Sequence, residues 1–222
     1  MRYNKGERKP CQLKIPVGTK MNSNPVKPSR GRPKTLDRDH VLDIAMDSYW
    51  KEDISSLSIN EICRRSGISK PSLYREFSNE DGLMKAVLIK YQEQILSPVQ
   101  QMLNSDSPFR EALDNLVSFA TSANCHHESP MGCLFIKMRE SRMHLGEATL
   151  AQVDFLEEQG LSTFKEWVKR SKDKGEFSAD MSPEFAAIYI DAQLINASTL
   201  LAHGEDPQTV KKILFVAFSM LG

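Results

Sequence analysis

This 222-residue sequence predicts an all-α fold, and three observations carry the prediction. Apolar residues recur at helical spacing from Asp37 onward. No stretch shows sustained β-branched alternation or a credible hairpin turn. Ser, Asn, Pro and Gly fall where helices start and stop. The expected architecture is an N-terminal three-helix helix-turn-helix unit followed by a larger helical unit. The boundaries read as a disordered basic arm over residues 1–35, the helix-turn-helix over 36–82 and the second unit over 83–222.

Each element has its own signal. Residues 1–35 hold five prolines and ten Lys+Arg against one acid, Glu7, with no apolar periodicity, a composition too poor in apolar surface to offset the entropy of folding. The first helix follows Asp37, with Val41, Ile44, Ala45 and Tyr49 on one face and acids in the first turn, where the helix dipole favours them. Ser58 then stands as an N-cap with Glu61 three residues on, the spacing of a capping box, ahead of an apolar face of Ile59, Ile62 and Cys63. Gly67 closes that helix, because the residue after the last turn is commonly left-handed. Ser69 caps the next one and Pro71 occupies its first turn, where a missing N–H costs nothing, so a short helix runs through Tyr74 and Arg75. Two short helices across a tight glycine turn make a helix-turn-helix. A fourth helix starts near Ser78 or Asn79 and carries Leu83, Val87, Ile89 and Ile95 toward Pro98, which kinks or ends it. Amphipathic segments then recur around residues 108–123, 131–143, 148–172, 183–202 and 207–221.

Composition excludes several classes. The apolar runs Ala186 to Ile190 and Ile213 to Phe218 fall short of the roughly 20 residues a spanning helix needs, so no membrane partner is expected. Lys, Gly and Pro interrupt every apolar stretch before Leu36, which argues against a secretory signal and for a cytoplasmic location. Cys11, Cys63, Cys125 and Cys133 lack paired metal spacing and are too sparse for a disulfide framework. The formal net charge of zero hides an asymmetry: residues 1–90 carry 18 Lys+Arg against 11 Asp+Glu, and the remainder the reverse. Such separation suits a first part that faces a polyanion.

Three pieces of pattern from Val41 to Leu88 resemble the TetR family of one-component regulators. They are Ala45 with Tyr49-Trp50; Ser58-Ile59-Asn60-Glu61-Ile62 with the turn Gly67-Ile68-Ser69; and Lys70-Pro71-Ser72-Leu73-Tyr74-Arg75-Glu76-Phe77 followed by Leu83. Further on, Gly175-Glu176-Phe177 through Asp180, Pro183-Glu184 and Ala186-Ala187 look like the entry to the family's last two helices. Two positions depart from the pattern. The family usually has Gly where Asp53 stands, which implies a left-handed aspartate there. It commonly has a phosphate-contacting Lys where Glu80 stands, and Glu80 cannot take that role.

The resemblance implies a sequence-specific DNA-binding repressor, released from a double-stranded operator by a small effector or by cysteine modification. Residue by residue, it places Asn60, Lys70, Pro71 and Ser72 at base edges. Their chemistry suits the major groove: Lys donates to guanine O6 or N7, Asn pairs with adenine and Pro packs on a thymine methyl. Ser69, Tyr74 and Arg75 fall to phosphates, which fix register without reading sequence. Core packing is the other reading of Tyr74. Arg32 and Lys34, just ahead of the first helix, suit an adjacent minor groove.

The same resemblance implies a homodimer through the last two helices. Ala186, Ala187, Tyr189, Ile190, Leu194, Ala197, Leu200 and Leu201 would form one face, and Ile213, Leu214, Ala217, Phe218 and Leu221 another; either set could instead be core. An effector pocket would draw on Phe109, Leu113, Leu116, Phe119, Phe135, Met138, Phe155, Phe164 and Trp167. Cys133, in a Gly-Cys-Leu that resembles a cysteine-sensing group within the family, is either an oxidant or electrophile sensor activated by its helix N-terminus, with Lys137 or Arg139 as a possible cation, or a small buried hydrophobe. Cys63 reads as core. Cys125-His126-His127 offers metal-ligand atoms, but adjacent histidines rarely turn both rings to one ion, and neither metal nor cofactor is expected. The other function classes are a helical interaction module, which leaves the pattern from Lys70 to Phe77 unexplained, and an enzyme. None of His40, His126, His127, His144 and His203 has a recognisable nucleophile or carboxylate partner, and no phosphate loop occurs.

Overall fold

The structure is a computed structural model that describes residues 36–122, 132–177 and 180–221. Among them there are ten α-helices and no strand. Each of the first four helices starts on the residue its cap chemistry selects. Asp37 accepts the amide of His40 at 3.1 Å and opens α1 (Arg38–Lys51). Ser58 accepts from the Glu61 amide at 3.3 Å and opens α2 (Ile59–Ser66). Only half of the expected capping box forms, because the Glu61 carboxylate turns to Arg64 at 2.6 and 2.8 Å and to Arg65 at 2.7 Å. Gly67 ends α2 in the left-handed region, with φ 67°. Ser69 accepts from Ser72 and opens α3 (Lys70–Phe77), and Asn79 accepts from Gly82 at 2.8 Å and opens α4 (Glu80–Tyr91).

Two turns differ from expectation. Asp53 is not left-handed; Ser78 is the only described non-glycine residue at positive φ. Asp53 instead folds its carboxylate back onto Ser55, taking the amide at 3.2 Å and the hydroxyl at 2.7 Å, so a side-chain turn replaces the backbone freedom of glycine. The strained position sits between α3 and α4, where Gly82 packs so tightly that a Cβ would lie 1.9 Å from the Phe77 carbonyl oxygen.

Beyond α4 the chain widens into a π turn over Gln92–Leu96 and re-forms as α5 (Ser97–Leu103), with Pro98 in its first turn. Proline has no N–H and its ring crowds the carbonyl four residues back; a widened turn accommodates both, so Pro98 marks a kink. Next come α6 (Phe109–Thr121), α7 (Leu134–Glu140), a 3₁₀ turn at Arg142–His144, α8 (Glu147–Asp173), α9 (Pro183–Ala202) and α10 (Pro207–Phe218).

Two apolar clusters organise the whole. The first joins α1 to α4 with Leu134 and Met138 of α7 and Val153 and Leu156 of α8. The second joins Leu103, α6, α9 and α10 with Trp167 and Val168 of α8. The 27 residues of α8 thus enter both cores. Residues 36–222 accordingly make one compact unit, in which the helix-turn-helix shares a core with helices on the far side of the expected boundary at 82. Contrary to the reading from uninterrupted apolar runs, α9 is long and apolar enough to cross a membrane by length and composition. Its Asp191 breaks the run in the sequence but is paired with Arg139 at 2.9 Å, and Ala186, Ala187, Ile190, Ala197 and Leu201 are buried within the fold.

Candidate nucleic-acid interface

The first turn of α3 presents Lys70 and Pro71 to solvent with Ser72 half-buried behind them, while Leu73 and Phe77 anchor the opposite face in the core. Asn60, on the first turn of α2, is exposed as well. Tyr74 is 36% exposed and therefore a surface residue rather than a core one, and Arg75 is exposed beside it. The Lys70 ammonium rests over the Tyr74 ring, 5.5 Å from its centroid. That cation–π contact holds the lysine along the helix one turn from Tyr74. The Ser69 hydroxyl is occupied by its capping duty and by Ser72 Oγ at 2.9 Å.

The nearest acids are largely neutralised. Hydrogen bonds from Arg64 and then Arg65 hold the Glu61 carboxyl down at about 2, so it is ionised yet paired. Glu76 lies 3.3 Å from Arg38. Arg32 and Lys34 lie outside the described residues, as do Cys125, His126 and His127. Among the described residues no group of three or more His, Cys, Asp or Glu could hold a metal ion.

A cavity of about 150 Å³ opens among α4 to α9. Of the residues expected to line it, Leu116, Phe119, Phe135 and Phe164 do. Five do not, and the reasons are packing ones. Phe109 stacks on Trp167 at 4.7 Å and with Leu113 fills the second core. Met138 is fully buried in the first core. Phe155 is 51% exposed and borders a shallow surface depression instead. The spacing placed these residues on apolar faces without telling which face meets a void. The wall also has polar members that spacing did not reveal, Tyr91, Ser198, Glu157 and Asp191, beside the Cys133 singled out in the sequence. Arg139 bridges Glu157 and Asp191 at 2.7 and 2.9 Å.

Cys133 precedes the first residue of α7 and lines this cavity. The amides of the helix N-terminus expected to activate it do reach it, but burial opposes them. Burial pushes the thiol up, outweighing hydrogen bonds from Tyr91, whose hydroxyl lies 3.2 Å from Sγ, and from the amides of Ile136 and Phe135. Neither expected cation serves it, since Lys137 bonds the carbonyls of Trp50 and Glu52 and Arg139 pairs with the two carboxylates. Cys63 is buried, and burial raises its thiol as well, in keeping with core packing.

A helix-turn-helix whose second helix is capped, anchored and exposed along one polar edge defines the class of protein. Residues 41–87 match the family model for bacterial regulatory proteins of the tetR family. Residues 41–87 thus carry a helix-turn-helix of the tetR-family type. It is 37% identical over 114 residues to the HTH-type transcriptional repressor ComR of Escherichia coli, a match that covers 50% of this chain and 53% of that protein. Against the repressor BdcR of the same organism it is 25% identical over 107 residues, or 48% and 54% of the two chains. The chain thus spans about half the length of the curated relatives it matches. Among solved structures, a cysteine-substituted CifR, a TetR-family regulator in complex with 26-bp operator DNA, superposes with a TM-score of 0.72 at 22% identity over 86% of this chain and 100% of that one. That likeness is one of fold.

Proposed function

We propose that this chain is a homodimeric, sequence-specific DNA-binding repressor that acts in the cytoplasm and is released from its operator by a small molecule entering the cavity among α4 to α9. The observation that carries the reading is the exposed first turn of α3, Lys70-Pro71-Ser72, on a helix whose other face is locked into the core. B-DNA's major groove admits a helix presented in this way, and Lys70 and Asn60 supply donors and acceptors of the kind that read base edges. Tyr74 and Arg75 take phosphates, and Ser69 does so by turning its hydroxyl proton away from Ser72.

Release by ligand fits better than release by thiol chemistry. A thiol pushed up by burial carries less of the nucleophilic thiolate than a free one. The cavity, mostly apolar with a few convergent polar groups, has the character of a small-ligand site.

Selection of bound duplexes from a random DNA pool, with titration of the enriched sequence, tests the reading. Tyr74→Ala is expected to weaken binding about tenfold on all sequences, whereas Lys70→Ala costs about 1–3 kcal/mol at one base step and relaxes preference there. Folded variants that both bind like the parent would place the reader elsewhere.

A further inference from the structure

A ligand shifts DNA binding only if the wall it touches is physically tied to the reading helices. One corner of the cavity has that tie. Gly132 and Cys133 both face the cavity. The Gly132 carbonyl accepts the indole N–H of Trp50 at 3.1 Å, and Trp50 is the penultimate residue of α1. The Trp50 ring meets Tyr91 of α4 edge-on at 5.3 Å, and the Tyr91 hydroxyl returns to Cys133 Sγ. Four residues on from Cys133, the Lys137 ammonium donates to the carbonyls of Trp50 at 2.9 Å and Glu52 at 2.5 Å, groups the helix end leaves without intrahelical partners. The corner also touches α9. The Cys133 amide donates to Ser198 Oγ at 2.8 Å, and a Cβ on Gly132, whose φ is 122°, would lie 3.2 Å from the Ser198 carbonyl oxygen.

From this arrangement we propose that the Gly132–Lys137 segment is the coupling element of the molecule, through which occupancy of the cavity moves α1. A group entering beside Cys133 bears on a corner that one hydrogen bond ties to α9 and three tie to the end of α1. The displacement therefore passes to α1. Because α1, α2 and α3 share one close-packed cluster, α1 carries the exposed turn of α3 with it as a rigid body. Trp50 and Lys137 touch neither DNA nor ligand in this scheme; they are positioning residues, and the proposal rests on reading the chain as an effector-responsive DNA-binding protein.

The test replaces an unidentified effector with a side chain. Ala120 of α6 lines the same cavity as Gly132 and Cys133, so Ala120→Phe, or the smaller Ala120→Leu, fills the space an effector would enter. Each filler is made in the parent and together with Trp50→Phe or Lys137→Met, which remove the hydrogen bonds but keep the ring or the aliphatic stem. A filler is expected to lower affinity for the selected duplex by about tenfold in the parent and by under about threefold beside either substitution, a coupling of ordinary allosteric size. Equal losses in all backgrounds overturn the proposal. The distance between spin labels on exposed residues of α1 and α8, measured without DNA, gives the second readout: the filler changes it in the parent and leaves it unchanged beside Trp50→Phe. An unchanged distance in the filled parent also overturns the proposal. Failure to select any duplex defeats the DNA-binding reading alone, and the distance measurement still decides the coupling.

Discussion

Tyr49 carries a fully buried hydroxyl for which the described residues supply no hydrogen-bond partner. Burial, then the nearby charge of Glu80, pushes its ionisation upward, so the group stays a neutral phenol. An unsatisfied buried hydroxyl costs about 1–3 kcal/mol, and Tyr49→Phe removes it with the ring left in place. The substitution is expected to stabilise the protein by about 1 kcal/mol in urea unfolding at neutral pH, and a loss of stability would reveal a partner for the hydroxyl. Cys133 makes a related point about reactivity. Its place ahead of a helix suggests a thiolate, yet burial pushes the other way, because desolvation penalises the charged form more than three hydrogen bonds favour it.

At the level of elements, one carboxylate adds a polar tie between α4 and α8 to their shared apolar packing. Asp81, in the first turn of α4, accepts the amides of Ala148 and Thr149 at 2.8 and 2.9 Å and the Thr149 hydroxyl at 2.5 Å, so it caps the N-terminus of a different helix. Burial alone would raise its carboxyl; hydrogen bonds from Thr149 and Ala148 outweigh that and lower it. A carboxyl lowered on folding contributes stability that is present above its unfolded value near 3.9 and is lost as the pH falls below it. Asp81→Ala is therefore expected to cost about 1–2 kcal/mol at pH 7 and less at pH 3, and a cost unchanged between the two would remove the carboxylate from the account. Asp81 also marks where the sequence stops being legible. Caps, stops and apolar faces are local, so Ser58, Gly67, Ser69 and Asn79 could be read directly, and with them the candidate DNA-reading turn. An acid in a first turn reads as serving its own helix, and no spacing reveals that this one serves a helix 67 residues away. The same holds for Trp50 with Gly132 and Lys137 with the end of α1, and for which aromatic residues border the cavity.

In the molecule as a whole, α9 and α10 leave an apolar face uncovered. Phe185 and Ile188 on α9 and Ile213, Val216 and Met220 on or just past α10 are between 37% and 76% exposed. The two helices are fastened to each other, with the Tyr189 hydroxyl donating to the Ala217 carbonyl at 2.8 Å and the Tyr189 and Phe218 rings edge-on, so this face is presented rigidly. Several residues first expected at a subunit interface are core of a single chain. Ala186, Ile190, Leu201, Leu214 and Phe218 are at most 3% exposed, because one helix face cannot serve both packings and the core claims the larger one. A charge at Phe218 would thus test folding, whereas a charge at Val216 or Ile188 tests association. Val216→Glu or Ile188→Glu would bury an unpaired carboxylate only in the dimer, at about 3–5 kcal/mol, which raises the dimer dissociation constant by at least about a hundredfold. Light scattering at micromolar concentration is expected to show a dimer for the parent and a monomer for either variant, with unchanged circular dichroism and a matching loss of affinity for the selected duplex, since two readers are needed to span successive major grooves. A parent that is monomeric at that concentration, or variants that remain dimeric, would move the interface off α9 and α10.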